Sequence, residues 1–428
     1  MDRPLVGTRP LPVSTPRLLL MKHKTSAPEA TPRTGVWLVG ARGAISTCVV
    51  YGVHGLREGL LEPTGIVTET APFQGLALAP LDGLVFGGHD VCQRELSRGA
   101  LELVRQHILD PDLVASGAAY AHAYEARLRP GLLDQCDTGF ADLDPRTVAL
   151  SSQTPREQIA AVVADLQAFR RDNQLSSVVV VHLASAEAAR EPRPEWNDLA
   201  AFERSLDAQV SHPASVLYAY AAFRARCSYV NFTPNLGSSI PALREYARQQ
   251  GCAHCGNDGK TGETLVKTVL APMFRQRALR VLSWQGYNML GNRDGAVLAD
   301  PAHKELKIRH KSDLLKELLD DQRVHGHVAI DYVPSLDDWK TAFDYIHFEG
   351  FLGAKMSLQF TWQGSDSALA APLVLDLVRL VECAQRHGEV GELAATAPFF
   401  KAPIAGGSHD FAAQFAQLLD WAARPRSN

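Results

Sequence analysis

The sequence has no apolar stretch long enough to cross a bilayer as a helix, which takes about 20 consecutive apolar residues, so no membrane association of that kind is expected. It also has no Lys/Arg tract and no basic stretch interleaved with aromatics, so nucleic acid is not an expected partner. Cysteine is sparse: seven residues, an odd number at irregular spacings, fit a reducing cytoplasm better than a disulfide framework. Cys252 and Cys255 form the single CxxC, and with no second CxxC or HxxxH to complete four ligands, no structural metal site is expected. A secretory signal is missing too. The apolar patch Leu18 to Met21 is too short for one and no cleavage site follows, which makes the cytoplasm the expected location.

The 43 Lys and Arg are nearly balanced by 47 Asp and Glu, and an apolar fraction of 46% over 428 residues is ample for a core. That length exceeds the usual size of one domain, so two domains, or one carrying a large insertion, are expected. Residues 1–32 are rich in Pro, Thr and Arg, lack an apolar period and read as a disordered lead. The ordered chain then opens with the buried-strand run Val36-Trp37-Leu38-Val39, the turn Gly40-Ala41-Arg42-Gly43-Ala44-Ile45-Ser46 and an apolar-periodic segment to Leu60. A strand, tight turn and helix in that order aim helix N–H groups at a dinucleotide pyrophosphate. Arg42 and Ile45 stand where GxGxxG has its later glycines, so the spacing alone is equally that of an ordinary strand-to-helix turn.

Ser177 to Leu183 and Ser228 to Phe232 are further apolar runs, each preceded by a helical stretch, and this alternation implies a doubly wound parallel sheet. Ala184-Ser185 and Thr233-Pro234-Asn235 then fall at its carboxyl edge and should line a cofactor cleft. From about Gly251 the texture changes to Gly/Asn/Asp loops between alternating strands at 279–284, 328–333 and 355–360, the pattern of an open sheet with one covered face. The apolar helix in ALAAPLVLDLVRLVECAQRHG then returns to the first sheet. The expected fold is α/β: a Rossmann-type doubly wound parallel sheet over 33–250 and 364–428, with an inserted α+β catalytic and oligomerisation domain over 251–363.

Several uncommon strings follow one another between Gly35 and about Pro403: VWLVGARGAIST, VFGGHDV, NFTPN, GNDGKTGETLVKTVL, YNMLGNRDG, the Lys307/Lys311 pair, DSALAAPLVLDL and Lys401 in TAPFFKAP. In that order they resemble the inositol-1-phosphate synthase family, with its Gly-rich turn, FGGxD, GxDxxSGQTxxK and YNxLGNxDG elements and closing KxP. The resemblance implies an NAD-dependent isomerase that holds its NAD tightly and recycles it each turnover. Glucose 6-phosphate would be oxidised at C5, lose a proton at C6, close by aldol attack on C1 and be reduced again. It also implies a homotetramer assembled through the insertion, and leaves a monovalent or divalent cation requirement open.

A C5 ketone acidifies the C6 hydrogens, and the resulting enolate calls for cations already in place. By resemblance, Lys307 and Lys401 move the hydroxyl proton and stabilise the enolate or aldol oxyanion, their proton affinities lowered by mutual crowding. Lys311, with Thr261, Gly262 and Glu263, would bind phosphate; Asp258 and Asp366 would sit beside nicotinamide and lysines; Leu290, Asn292 and Asp294 would hold the substrate. Asp90 and the Gly40–Ile45 turn would meet the cofactor, with Ala184, Ser185, Asn235 and Asp258. Apart from the resemblance, the i,i+4 pair Lys307/Lys311 reads as a solvated helix face. Asp258 and Asp294 read as turn residues, and His89 and His182 as packing histidines.

Three positions depart from the family pattern. Asp331, in VAIDYVP, stands where eukaryotic members carry the lysine of IKYVP, so a substrate contact is expected to be rebuilt around it. Glu263 replaces the glutamine of SGQT, and Arg42 and Arg293 bring bulk and charge to positions that are ordinarily small or neutral. These changes admit an alternative in which fructose 6-phosphate closes to a five-membered carbocycle through its C2 ketone. A plain NAD-dependent dehydrogenase, which would accumulate NADH, and a silent NAD-binding scaffold are the other readings.

Overall fold

A computed structural model describes residues 33–133, 142–188, 190–291 and 315–426. The apolar run near the start forms strand β1, Thr34–Val39, buried along its whole length. A strand buried on both faces belongs in the middle of a covered parallel sheet. β1 does lie there, paired in parallel with β2, Leu84–Asp90, on one side and β4, Ser177–His182, on the other. The full order is β11-β6-β5-β4-β1-β2-β3, with β3 at Leu128–Pro130, β5 at Ser228–Asn231, β6 at Ala253–Gly256 and β11 at Gly391–Glu392. All its pairs are parallel. Strand order reverses between β1 and β4, the switch point at which such sheets bind ligands.

Two apolar layers cover this sheet. One joins helix Ala44–Arg57 to the long helix Asp366–Arg386. The other is built on helices Pro155–Asp172 and Ala214–Arg224. Thr154 and Glu157 form a reciprocal capping box at the first turn of the Pro155 helix, which explains why that helix begins where it does. The long helix is capped by Ser365, whose hydroxyl accepts from the Ala368 N–H. Its buried Asp376 accepts from the Val67 and Thr68 N–H groups, tying the segment before β2 to it. Cys252 and Cys255 are both buried and pack into opposite layers, as an odd spacing on extended chain requires.

In sequence, the second sheet lies between β6 and β11 of the first, with order β10-β9-β7-β8. β7, Arg280–Leu290, runs parallel to β8, His325–Tyr332, and antiparallel to β9, Trp339–Glu349; β10 is Lys355–Ser365. Val281 and Trp284 of β7 pack with Ala271 and Phe274 of helix Glu263–Gln276, while Tyr287 and Met289 face outward. One face is therefore covered, as the alternation implies. β6 still belongs to the first sheet, so the change of sheet follows Gly256 rather than Gly251. Among the described residues, no helix is long and apolar enough to cross a membrane.

Candidate active site

A cleft of about 440 Å³ opens at the carboxyl ends of β1, β2, β4 and β5 and is closed on its other side by β7, β8 and the start of β9. Its first wall is the turn after β1. Gly40 has φ +89°, and a Cβ there would meet the Ala184 backbone nitrogen at 2.9 Å, so glycine lets the turns after β1 and β4 touch. The Gly40 and Ala41 N–H groups both donate to the His89 carbonyl, at 2.9 and 3.1 Å. Gly43 caps helix Ala44–Arg57 with no side chain on the first-turn N–H groups, and Ala44 and Ile45 line the cleft. An open helix N-terminus of this kind suits a pyrophosphate.

Asp90, at the end of β2, also lines the cleft. Its carboxylate accepts from the Arg42 N–H at 2.7 Å and the Cys92 N–H at 2.9 Å, bracing the turn. The Arg42 guanidinium reaches Glu125 and the Arg94 carbonyl, both at 2.6 Å, which accounts for a large basic residue in the turn. Ala184 and Ser185 line the cleft as expected. Ala41 and Asn235 do not. Ala41 is fully buried behind the turn, and Asn235 shapes the loop from beneath, donating to the Ser185 carbonyl at 3.0 Å and accepting from the Glu187 N–H at 2.8 Å. His89 is held between the Trp37 indole N–H and Asp165, and burial pushes His182 down to about 3, keeping it neutral.

The second wall gathers residues far apart in sequence. Gly259 and Phe400 form an antiparallel bridge, and the Lys401 N–H donates to the Asp258 carbonyl at 2.7 Å. Asp258 has φ +61°, a left-handed conformation that aspartate tolerates better than most residues. The Lys401 ammonium donates to Asp258 Oδ1 at 2.8 Å, and the Thr261 hydroxyl donates to Asp366 Oδ1 at 3.2 Å. All four side chains belong to the cleft lining. Burial opposes charge on Lys401, but Asp258, backed by Asp366 and Glu263, outweighs it and holds the ammonium above its ordinary range. The expected lowering is thus reversed at Lys401. The depressed lysine is its neighbour Lys260, brought down to about 8 by burial and by Lys401.

The second sheet contributes Leu290, Asn288 and Lys340. Neither Asn288 nor Lys340 was singled out from sequence. Asn288 shares the inner face of β7 with Trp284 and Leu290, is 1% exposed, and its Oδ1 accepts no hydrogen bond among the described residues. The period-two pattern of β7 was the signal for it. Lys340 lies on β9, a strand the sequence reading did not resolve.

Three residues expected to bind substrate lie off the cleft lining. Asp331 is exposed on β8 and outside the lining, because strand alternation turns the buried Ile330 into the cleft and Asp331 away. Glu263 is buried and bonded to Lys267, which also lies 3.5 Å from Asp344; this ion cluster stands behind the cleft. Gly262 caps the helix that begins at Glu263, and a Cβ there would meet the Trp362 indole nitrogen at 2.9 Å, so packing requires glycine at this position. Asn292, Asp294, Lys307 and Lys311 lie outside the described residues.

A glycine turn that opens a helix N-terminus and a charged lysine–carboxylate pair therefore share one cavity. The myo-inositol-1-phosphate synthase family model matches residues 34–423. Inositol-3-phosphate synthase 1 of Bacteroides thetaiotaomicron is 32% identical over 413 residues, covering 89% of this chain and 91% of that protein. The inositol-3-phosphate synthase of Caenorhabditis elegans superposes with a TM-score of 0.81 at 23% identity, over 91% of this chain and 85% of that one. A myo-inositol-1-phosphate synthase-related protein of Thermotoga maritima gives 0.73 at 22%, over 92% and 100%.

Proposed function

Because this chain belongs to the myo-inositol-1-phosphate synthase family and is an NAD-dependent isomerase-type cyclase, we propose that it converts glucose 6-phosphate to inositol 1-phosphate. The observation that carries this reading is the Lys401–Asp258 pair facing the same cleft as the Gly40 turn. Bound NAD would supply the oxidation at C5 and its reversal, so that the net change is an isomerisation. The Ala44 helix N-terminus, the Gly40 turn and Asp90 would hold it. Lys401, kept charged by Asp258, stabilises the oxyanion that develops at C5 on enolisation and at C1 as the C6–C1 bond forms. Asp258 and Asp366 orient Lys401 and Thr261. Asn288 and Lys340 hold the open-chain sugar from the second sheet, with Lys307 and Lys311 assigned to proton transfer and phosphate by family resemblance.

We also propose a cytoplasmic homotetramer assembled through the second sheet. Tyr287 and Phe343 are paired in register on its outward face and are 43% and 37% exposed, an apolar surface suited to self-association.

The test is incubation of the purified protein with NAD and, separately, glucose 6-phosphate and fructose 6-phosphate, with products identified by NMR. An inositol phosphate from the glucose ester, with no accumulation of absorbance at 340 nm, is expected. A five-membered product from the fructose ester alone would move the assignment to that substrate, and stoichiometric NADH would make the protein a dehydrogenase.

A further inference from the structure

Lys260 is 3% exposed, and its ammonium donates to a neutral group, the Gln414 side-chain oxygen, at 2.7 Å. The Phe411 ring lies 5.8 Å from the same nitrogen. No carboxylate pairs with it among the described residues. Lys401, on the 399–401 segment, repels its charge, and His409, on the turn before helix Phe411–Ala422, is in turn repelled by it; Lys401 is itself paired with Asp258 at 2.8 Å, and His409 lies 3.9 Å from Glu317. The backbone holds it there: its N–H donates to the Phe399 carbonyl at 2.8 Å, one step from the Gly259–Phe400 bridge. The next residue, Thr261, reaches into the cleft to Asp366.

Burying a cation that has no counter-ion of its own among the described residues works against folding. A methionine would fill similar space at no electrostatic cost. Groups kept in such unfavourable settings concentrate where a function needs their charge. Lys260 does not line the cleft, so its influence on the reaction passes through Lys401 and Asp258, which do.

We propose that Lys260 is a positioning residue for the cyclisation, a fixed charge behind the Lys401–Asp258 pair. It opposes the hold of Asp258 on the Lys401 proton and supports negative charge as it develops on the sugar. This rests on the functional reading above and adds a residue to it.

The test compares Lys260→Met and Lys260→Arg with wild type by steady-state turnover of the sugar phosphate, its pH profile and thermal unfolding. For Lys260→Met, kcat should fall about tenfold while KM stays within about twofold of wild type. Wild-type turnover should decline as pH rises through about 8, where Lys260 gives up its proton, and Lys260→Met should lack that step. Its melting temperature should equal or exceed that of wild type. Lys260→Arg should recover most of the turnover. Wild-type kcat in Lys260→Met would overturn the proposal, as would a slower variant that is also less stable, since that marks a packing role. A wild-type protein that binds NAD yet turns over neither sugar phosphate would overturn the functional reading, and this assignment with it.

Discussion

Lys401 is joined to Asp258 twice, by its ammonium at 2.8 Å to the carboxylate and by its backbone N–H at 2.7 Å to the carbonyl. The double link holds the lysine side chain in one direction and keeps it charged, so under the proposed function the cation would meet a developing oxyanion without reorganising.

Replacing Lys401 by alanine should therefore lower kcat by a factor on the order of 10³. NAD affinity should change by no more than about threefold, because the turn that would hold the dinucleotide is made by other residues. Isothermal titration beside an NMR product assay separates the two effects, and product at the wild-type rate would remove Lys401 from the chemistry.

Gly40→Ala tests the other wall. A methyl group at φ +89° and 2.9 Å from the Ala184 nitrogen forces the turns after β1 and β4 apart. Stability should fall by about 1–3 kcal/mol, and NAD should bind more weakly by at least a factor of roughly ten. Urea denaturation and titration with NAD read these directly, and an unchanged affinity would show that the turn does not grip the cofactor.

On the second sheet, Lys340→Ala should reduce kcat/KM for the sugar phosphate about a hundredfold while leaving NAD affinity in place. Asn288→Ala should act in the same direction, more weakly, since a neutral hydrogen bond is worth less than a charged one. Equal losses of sugar and NAD binding would mean that the sheet itself had shifted.

The pH dependence of stability carries a sign that follows from Lys260. Its folded value, about 8, lies below the ordinary 10.5, so the folded state disfavours the charged form. The penalty is fully present below about 8 and is relieved as pH rises toward 10.5. Lys260→Met should accordingly be more stable than wild type at pH 7, by up to about 3 kcal/mol, with the difference shrinking to near zero by roughly pH 10.5. A gap that is constant across this range would contradict the assignment of charge to Lys260.

Strands β1, β4 and β5 were legible because strands buried on both faces are continuous runs of Val, Leu and aromatic residues. β9 was not, since Lys340, Thr341 and Asp344 interrupt its apolar alternation, and the buried Asp344 is tolerated only because Lys267 and the Trp284 indole meet it. The Gly40 turn could be read locally. Asp258 and Lys401 meet across 143 residues beside the Gly259–Phe400 bridge, a juxtaposition that no local pattern encodes and only family resemblance suggested. Glu263 and Asp331 fall outside the cleft lining for a related reason: a motif locates a residue in sequence, but helix phase and strand parity decide which way it faces.

The bridge that brings Gly259 to Phe400 also imposes an order in time. The Gly40 turn and β1 leave the ribosome early, whereas Lys401 follows Asp258 by 143 residues, roughly 7 to 30 s at ordinary rates of synthesis. The nascent chain thus contains the whole Gly40 turn, with its partners His89 and Ala184, well before Lys401 of the opposite wall has been made.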